Sequence, residues 1–124
     1  MDSSSNLKII VAGSRDITDY NFIQNNLDVI LRNTKKKVEI VSGGARGVDT
    51  LAIQYAKGRQ LSFKEFSANW NEHGKAAGPI RNAEMAHYSN GLIAFWDGIS
   101  RGTKNMIDTM DKLNKPYKVI TLGD

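Results

Sequence analysis

The segment Ser42-Gly43-Gly44-Ala45-Arg46-Gly47-Val48-Asp49 joins an apolar run, Val38-Glu39-Ile40-Val41, to the helix-forming stretch Thr50 to Lys57. The first flank reads as a buried strand and the second as a helix, so the chain here builds a strand, a glycine-rich turn and a helix. Such a turn leaves backbone N–H groups uncovered at the positive end of a helix dipole, which is an anion site, and the usual biological anion there is a phosphate. A second turn of this kind, Gly13-Ser14-Arg15, follows the strand Leu7 to Ala12, and a third runs from Asp97 through Gly102-Thr103. Three such turns in one small chain point to a nucleotide-like ligand.

The remaining elements extend the pattern. Leu7 to Ala12 is a nearly continuous apolar run, as expected of a central parallel strand covered on both faces. Asp19 is placed to cap a helix reaching about Arg32, with Phe22, Ile23, Leu27, Ile30 and Leu31 at helical spacing. Strand two is Lys37 to Ser42, and helix two Arg46 to Gly58, with Gly58 as its expected C-cap. Ser62 to Ser67 alternates as an edge strand does. Ala68 to Ala77 reads as a long loop of the binding or lid type, containing Trp70, His73 and Lys75. Helix three is expected from Gly78 or Pro79 to Tyr88, strand four at Gly91 to Trp96, helix four at Thr103 to Leu113, and strand five at Tyr117 to Leu122.

Strand and helix alternate with no hairpin signal, no internal repeat and no linker. The expected fold is therefore α/β: a Rossmann-like three-layer sandwich around a mostly parallel five-stranded sheet. In such folds the ligand lies beyond the carboxyl ends of the strands, where the strand order reverses. All three glycine-rich turns follow strands and so converge on that edge. Met1 to Asn6 is polar and expected to be a flexible N-terminus, leaving residues 7–124 as a single domain.

Composition narrows the chemistry. The 124 residues contain no cysteine, which excludes disulfides and thiolate metal sites, and two histidines, His73 and His87, too far apart for a zinc site. No metal and no cofactor are expected. No apolar stretch approaches the roughly 20 residues of a membrane span, and no signal-peptide pattern opens the chain, so a cytoplasmic protein without membrane contact is expected. The net charge of +4 suits an anionic ligand without choosing between a small nucleotide and a nucleic acid. Lys35-Lys36-Lys37 reads as a solvated turn between a helix and the second strand.

The candidate site residues follow from these turns. Gly13 permits close backbone approach, Ser14 offers a hydroxyl and Arg15 a bidentate phosphate clamp. Ser42, Gly43 and Gly44 belong to the second cradle, where Arg46 is expected to meet either a phosphate or a base. Asp49, one turn into the helix, accepts either from the loop backbone or from a ribose hydroxyl. Lys75 and Arg81 are placed to close over an anion, with Asn82 either beside them or bracing the loops. Gly102 and Thr103 supply N–H groups and a hydroxyl. Trp70 and Trp96 are candidates for base stacking, against the commoner fate of packing. Asp97, at a strand end, is a candidate for ribose binding or acid–base chemistry; if the protein is an enzyme, Arg81 and Asp97 are its candidate catalytic residues.

With these residues in hand, the chain resembles the SLOG superfamily, most closely its small YspA-like branch. The resemblance rests on GSR after strand one, SGGARGVDTLA after strand two, GKAAGPIRNAEM around helix three and AFWDGISRGTKNMI around strand four, in that order. It implies a Rossmann-like sheet that binds nucleotides or their derivatives. Related LOG phosphoribohydrolases cleave the N-glycosidic bond of nucleoside 5′-monophosphates with an arginine in an RKxxM-like block and a glutamate in PGGxGTxxE. Arg81 with Met85 is similar to the first block and Gly102-Thr103 to the second, but Met106 stands at the glutamate position and the PGG is absent. The DNA-processing protein DprA shares GSR, a similar SGxARGID turn and an RN-bearing helix. Other SLOG domains sense nucleotide signals such as cyclic ADP-ribose.

A pocket without the catalytic glutamate fits binding, sensing or sequestration of a nucleotide or nucleotide-derived small molecule better than turnover. The alternatives are an N-glycosidase using Arg81 with Asp97 or Asp108 instead of the missing glutamate, and a DprA-like single-stranded DNA binder. The resemblance also implies a homo-oligomer, a dimer or tetramer.

Overall fold

A computed structural model describes residues 6–121; the expectations for residues 1–5 and for Leu122 lie outside the described residues. The strands are β1 (Leu7–Gly13), β2 (Val38–Ser42), β3 (Ser62–Glu65), β4 (Gly91–Trp96) and β5 (Tyr117–Thr121). They form one sheet in the order β3-β2-β1-β4-β5, and every pairing is parallel. The helices are α1 (Tyr20–Leu31), α2 (Val48–Gly58), α3 (Trp70–His73), α4 (Ala77–Tyr88) and α5 (Arg101–Lys112).

The apolar runs divide between two cores because successive strand residues face opposite sides of a sheet. Val11, Ile40, Ile93 and Phe95 pack against α1 and α2, with Ile23, Leu27, Val48 and Ala52 from those helices. Ile10, Ala12, Val41, Leu92 and Ala94 pack on the other face against Met85 and Ala86 of α4 and Met106, Ile107 and Met110 of α5. The three-layer α/β sandwich is thus a direct consequence of central strands that carry apolar residues on both faces.

Strand order reverses between β1 and β4. From β1 the chain crosses through α1 and α2 to β2 and β3, then returns through α4 to β4 on the other side of β1. The crevice at this divergence opens above the carboxyl ends of β1 and β4.

Asp19 caps α1 by accepting from the Phe22 N–H at 3.2 Å. Several boundaries differ from expectation for local reasons. Helix α2 starts at Val48, not Arg46, because Gly44 and Gly47 take φ of +74° and +81° and keep the turn open for longer. Gly58 is the last residue of that helix and not its cap; the left-handed residue is Gln60, at φ +58°. Strand β3 ends at Glu65, at the sheet edge with all four residues exposed.

The stretch expected as a loop, Ala68 to Ala77, holds α3 and a single 3-10 turn, Gly74–Ala76. Asn69 and Glu72 explain it. The Asn69 side chain accepts from the Glu72 N–H at 3.1 Å and donates to the Glu72 carboxylate at 3.1 Å, which caps the turn at its start. Helix α5 begins at Arg101, two residues before Thr103.

Candidate functional site

A cavity of about 380 Å³ occupies the crevice. One wall is the end of β1 and the turn after it, Gly13 to Asp16; the opposite wall is Ser100 to Thr103, at the start of α5. Arg81 and Asn82 of α4 and Ala45, Arg46 and Asp49 of the second turn close the sides. Ala12, Met85 and Met106 make an apolar floor, with both methionines buried. A second cavity of about 480 Å³ adjoins it over the ends of β2 and β3, lined by Gly43, Gly44, Ser67 and Trp70. Arg15, Ala45, Arg46 and Arg81 line both.

The second turn is built differently from its expected role. Ser42, fully buried, donates its hydroxyl to the Asp49 carbonyl at 2.9 Å and accepts from the Gly44 N–H at 3.1 Å. The Asp49 carboxylate accepts from the Ala45 N–H at 3.2 Å, and Thr50 donates to the Ala45 carbonyl at 2.8 Å. The N–H groups of Gly44 and Ala45 are therefore spent inside the turn. Ser42 lines neither cavity, and the exposed N–H group expected of Gly44 is not there. The turn instead offers its Gly43 carbonyl to Arg81 Nη1 at 2.7 Å and sets Arg46 at the junction of the cavities.

Gly13 is a glycine for packing. A Cβ there would stand 2.4 Å from the Phe95 carbonyl and 2.7 Å from Val48. Ser14, buried, donates its backbone N–H to Phe95 O at 3.3 Å and accepts from Val48 N at 3.3 Å, locking β1 to β4 and to α2. Arg15 beyond it is exposed and faces both cavities.

At the start of α5, Ser100 makes no side-chain cap: its hydroxyl donates to Asp97 at 2.9 Å. The N–H groups of a helix's first turn have no partner within the helix, so those of Arg101, Gly102 and Thr103 are left for a ligand. The Asn82 side-chain amide positions this turn, donating to Gly102 O at 3.2 Å and Asn105 Oδ1 at 2.8 Å while its oxygen accepts from Arg81 Nε at 3.1 Å. Asn82 thus couples the arginine to the helix terminus.

Two charges in the cavity are perturbed. Burial pushes the Asp49 carboxyl up to about 6, against the Ala45 N–H and the positive charges of Arg81 and Arg15. Burial also lowers the pKa of Arg81; Asp49 opposes that shift and the neighbouring Arg15 adds to it. A like charge beside a half-buried guanidinium is relieved when an anion arrives between them.

Other candidates fall outside. Asp97 braces its own turn, accepting from Ile99 N and Ser100 N at 2.8 Å each, and these bonds, with the Ser100 and Ser14 hydroxyls, hold its carboxyl down at about 2. It lines neither cavity, and a carboxylate so stabilised is a poor proton carrier. Asp108 pairs with Lys104 at 2.9 Å on the exposed side of α5. Lys75 is exposed on the 3-10 turn and lines neither cavity. Trp96 is half-buried and donates to Ser100 O at 3.1 Å, so it packs instead of stacking, whereas Trp70 is 53% exposed in the second cavity.

Arg101, Asn105 and Asp16 are part of the site or its support and carry no role in the reading of the motifs. Arg101 had a local signal, lying directly before Gly102-Thr103 in the third turn. Among the described residues, no helix is long and apolar enough to cross a membrane, and no group of three or more His, Asp or Glu is placed to hold a metal ion.

Comparison with known proteins agrees with this architecture. Residues 7–73 match the family described as YspA, cpYpsA-related SLOG. The chain belongs to that SLOG family. The Gene 61 protein of Mycobacterium phage D29 is 34% identical over 123 residues, covering 94% of this SLOG chain and 97% of the phage protein. DNA processing protein A (DprA) from Streptococcus pneumoniae superposes with a TM-score of 0.75 at 18% identity, covering 95% of this chain and 51% of that one. DprA from Helicobacter pylori, whose structure describes a single-stranded DNA binding mode, gives 0.71 at 22% identity, covering 94% and 66%. The chain thus spans about half to two-thirds of these DprA structures, and the likeness is one of fold. In this chain Met106 puts a buried thioether on the cavity floor.

Proposed function

We propose that this SLOG domain binds a phosphate-bearing nucleotide or nucleotide-derived signal in the crevice between β1 and β4, as a sensor or sequestering protein. One observation carries the reading: Arg15, Arg46, Arg81 and Arg101 line one cavity together with the uncapped first turn of α5. The carboxylates lining it are Asp16 and Asp49. A micromolar ligand needs about −8 kcal/mol, which a few charge-assisted phosphate contacts of roughly 1.5–3 kcal/mol each would supply.

Binding without turnover is the expected behaviour. Cleavage of an N-glycosidic bond calls for a carboxylate near the sugar to steady an oxocarbenium-like transition state. Met106 cannot carry that charge, Asp97 and Asp108 lie outside the cavity, Asp49 is tied to Ala45, and Asp16 is exposed to solvent.

The test is a thermal-shift screen against nucleoside monophosphates, ADP-ribose and its cyclic form, with free base assayed in the same wells. A nucleotide-specific rise in melting temperature without base release supports the reading, and loss of that rise in Arg81→Ala places the ligand in this cavity. Base release would assign the domain to the phosphoribohydrolases. A second reading, single-stranded DNA binding, is favoured by the adjoining cavity and its exposed Trp70. It requires a shift with oligonucleotides and none with nucleotides.

A further inference from the structure

Resting on that reading, the geometry points to a ligand of a particular class: two nucleoside-sized units joined through phosphate, seated across both cavities, with one base against Trp70. Three observations lead there. The cavities, about 380 and 480 Å³, are each within the range that holds one small ligand, at roughly 300–1,000 Å³. Their shared border holds three guanidinium groups, those of Arg15, Arg46 and Arg81. A mononucleotide with its phosphate at this border would occupy one side and leave the other empty.

The border is built for a bridging anion. Arg15 stands close enough to Arg81 to disfavour its charge, and Asp49 is the buried carboxylate beside them. Arg81 donates to the Gly43 carbonyl at 2.7 Å, which fixes its guanidinium where the two cavities meet. A phosphodiester or pyrophosphate lying across the three arginines would be met from both sides by charge-assisted hydrogen bonds.

The two chambers differ in what they offer a nucleoside. The chamber beyond Ser67 holds the indole of Trp70, exposed, with its Cη2 edge beside Gly78, where a Cβ would come within 3.6 Å. A planar base gains roughly 1–3 kcal/mol from stacking on such a ring. The chamber between β1 and α5 has an apolar floor of Met85 and Met106 under a polar rim of Asn82 and Thr103, and the free N–H groups of α5. A second nucleoside fits there with its face on the methionines and its ribose hydroxyls at the rim.

The test compares the intact protein with Trp70→Ala and Trp70→Phe by isothermal titration. The probes are AMP, diadenosine 5′-pyrophosphate, cyclic di-AMP and a single-stranded oligodeoxyadenylate of about ten nucleotides. The expected result is that one of the two dinucleotides binds at least about tenfold more tightly than AMP, and which of them does so distinguishes a linear from a cyclic ligand. In Trp70→Ala that ratio falls to about one, and Trp70→Phe restores most of it. Equal affinity for AMP and both dinucleotides, or a ratio that survives Trp70→Ala, overturns the inference while leaving nucleotide binding in place. An oligonucleotide that binds more tightly than every small ligand also overturns it. Failure of all the probes to bind would remove the underlying reading itself.

Discussion

Asp49 shows how much a single residue's setting decides. In the unfolded chain its carboxyl titrates near 3.8, and burial in the fold raises that to about 6. The folded protein therefore holds this proton more tightly than the unfolded one, so stability falls as pH rises between 3.8 and about 6 and the loss is complete above that window. The size of the loss is about 3 kcal/mol as an upper figure. Asp49→Asn keeps an acceptor for the Ala45 N–H and removes the buried charge. Urea unfolding across this pH range is expected to show a higher midpoint for the variant at neutral pH and a flatter profile through the window. A profile parallel to the parent's would mean that Asp49 is not its source. Asn82 works by connection instead: its one amide joins Arg81 to the α5 terminus. Removing one partner from such a buried set costs about 1–3 kcal/mol, so Asn82→Ala is expected to lower the denaturation midpoint and weaken nucleotide binding together.

At the scale of elements, glycines of the same apparent type have opposite roles. Gly13 sits where β1, β4 and α2 meet, and a methyl group there would collide with the Phe95 carbonyl at 2.4 Å, which cannot withdraw without parting the two strands. Gly102 meets nothing within 4 Å at the same test and faces the cavity. Gly13→Ala is therefore expected to destabilise by about 3 kcal/mol or more. Gly102→Ala is expected to hold or raise stability by up to about 1 kcal/mol while weakening nucleotide binding about tenfold, or 1.4 kcal/mol. Thermal melts with and without nucleotide separate the two effects. If Gly102→Ala bound as the parent does, the α5 terminus would not be the phosphate seat. Between α1 and α2, Asp28 ties the helices by accepting from Tyr55 at 2.6 Å and from Arg59 at 2.7 Å. That contact steadies the layer behind the site without touching it.

For the whole molecule, the controlling fact is that the cavity draws on β1, α4, α5, the start of α2 and the turn before it, residues spread from Ala12 to Met106. No part of the chain can form the site alone, so ligand binding is linked to global unfolding. A ligand at a hundred times its Kd is expected to add about 2.7 kcal/mol of stability, read as a rise in melting temperature that grows with concentration. Salt gives an independent view. A small ligand with one or two phosphates loses affinity shallowly as salt rises, while a strand contacting many phosphates loses roughly 10³–10⁵ between low and moderate salt. The shallow dependence is expected here, and a steep one would move the domain to the nucleic-acid binders.

The order of the five strands and the four longer helices, and the parallel sheet, were legible in the residues, because each rests on local periodicity and on turns that follow apolar runs; the short α3 was not. Leu7 to Ala12 reads as a central strand, and β1 is the middle strand of the sheet. The motif GSR and the turn around Arg46 likewise located two walls of the crevice. What the residues could not show was where each polar group spends its hydrogen bonds. Ser42 and Gly44 satisfy one another inside the turn, Asp97 is consumed by its neighbours, and Lys75 is left outside on the 3-10 turn that follows the Asn69-capped α3. Arg81 reaches the Gly43 carbonyl across 38 residues of sequence, and only the packing of α4 on the sheet face brings them together. Periodicity determines which face of an element is buried. The partners of a buried polar atom depend on which elements meet, and that is decided by the sheet order alone.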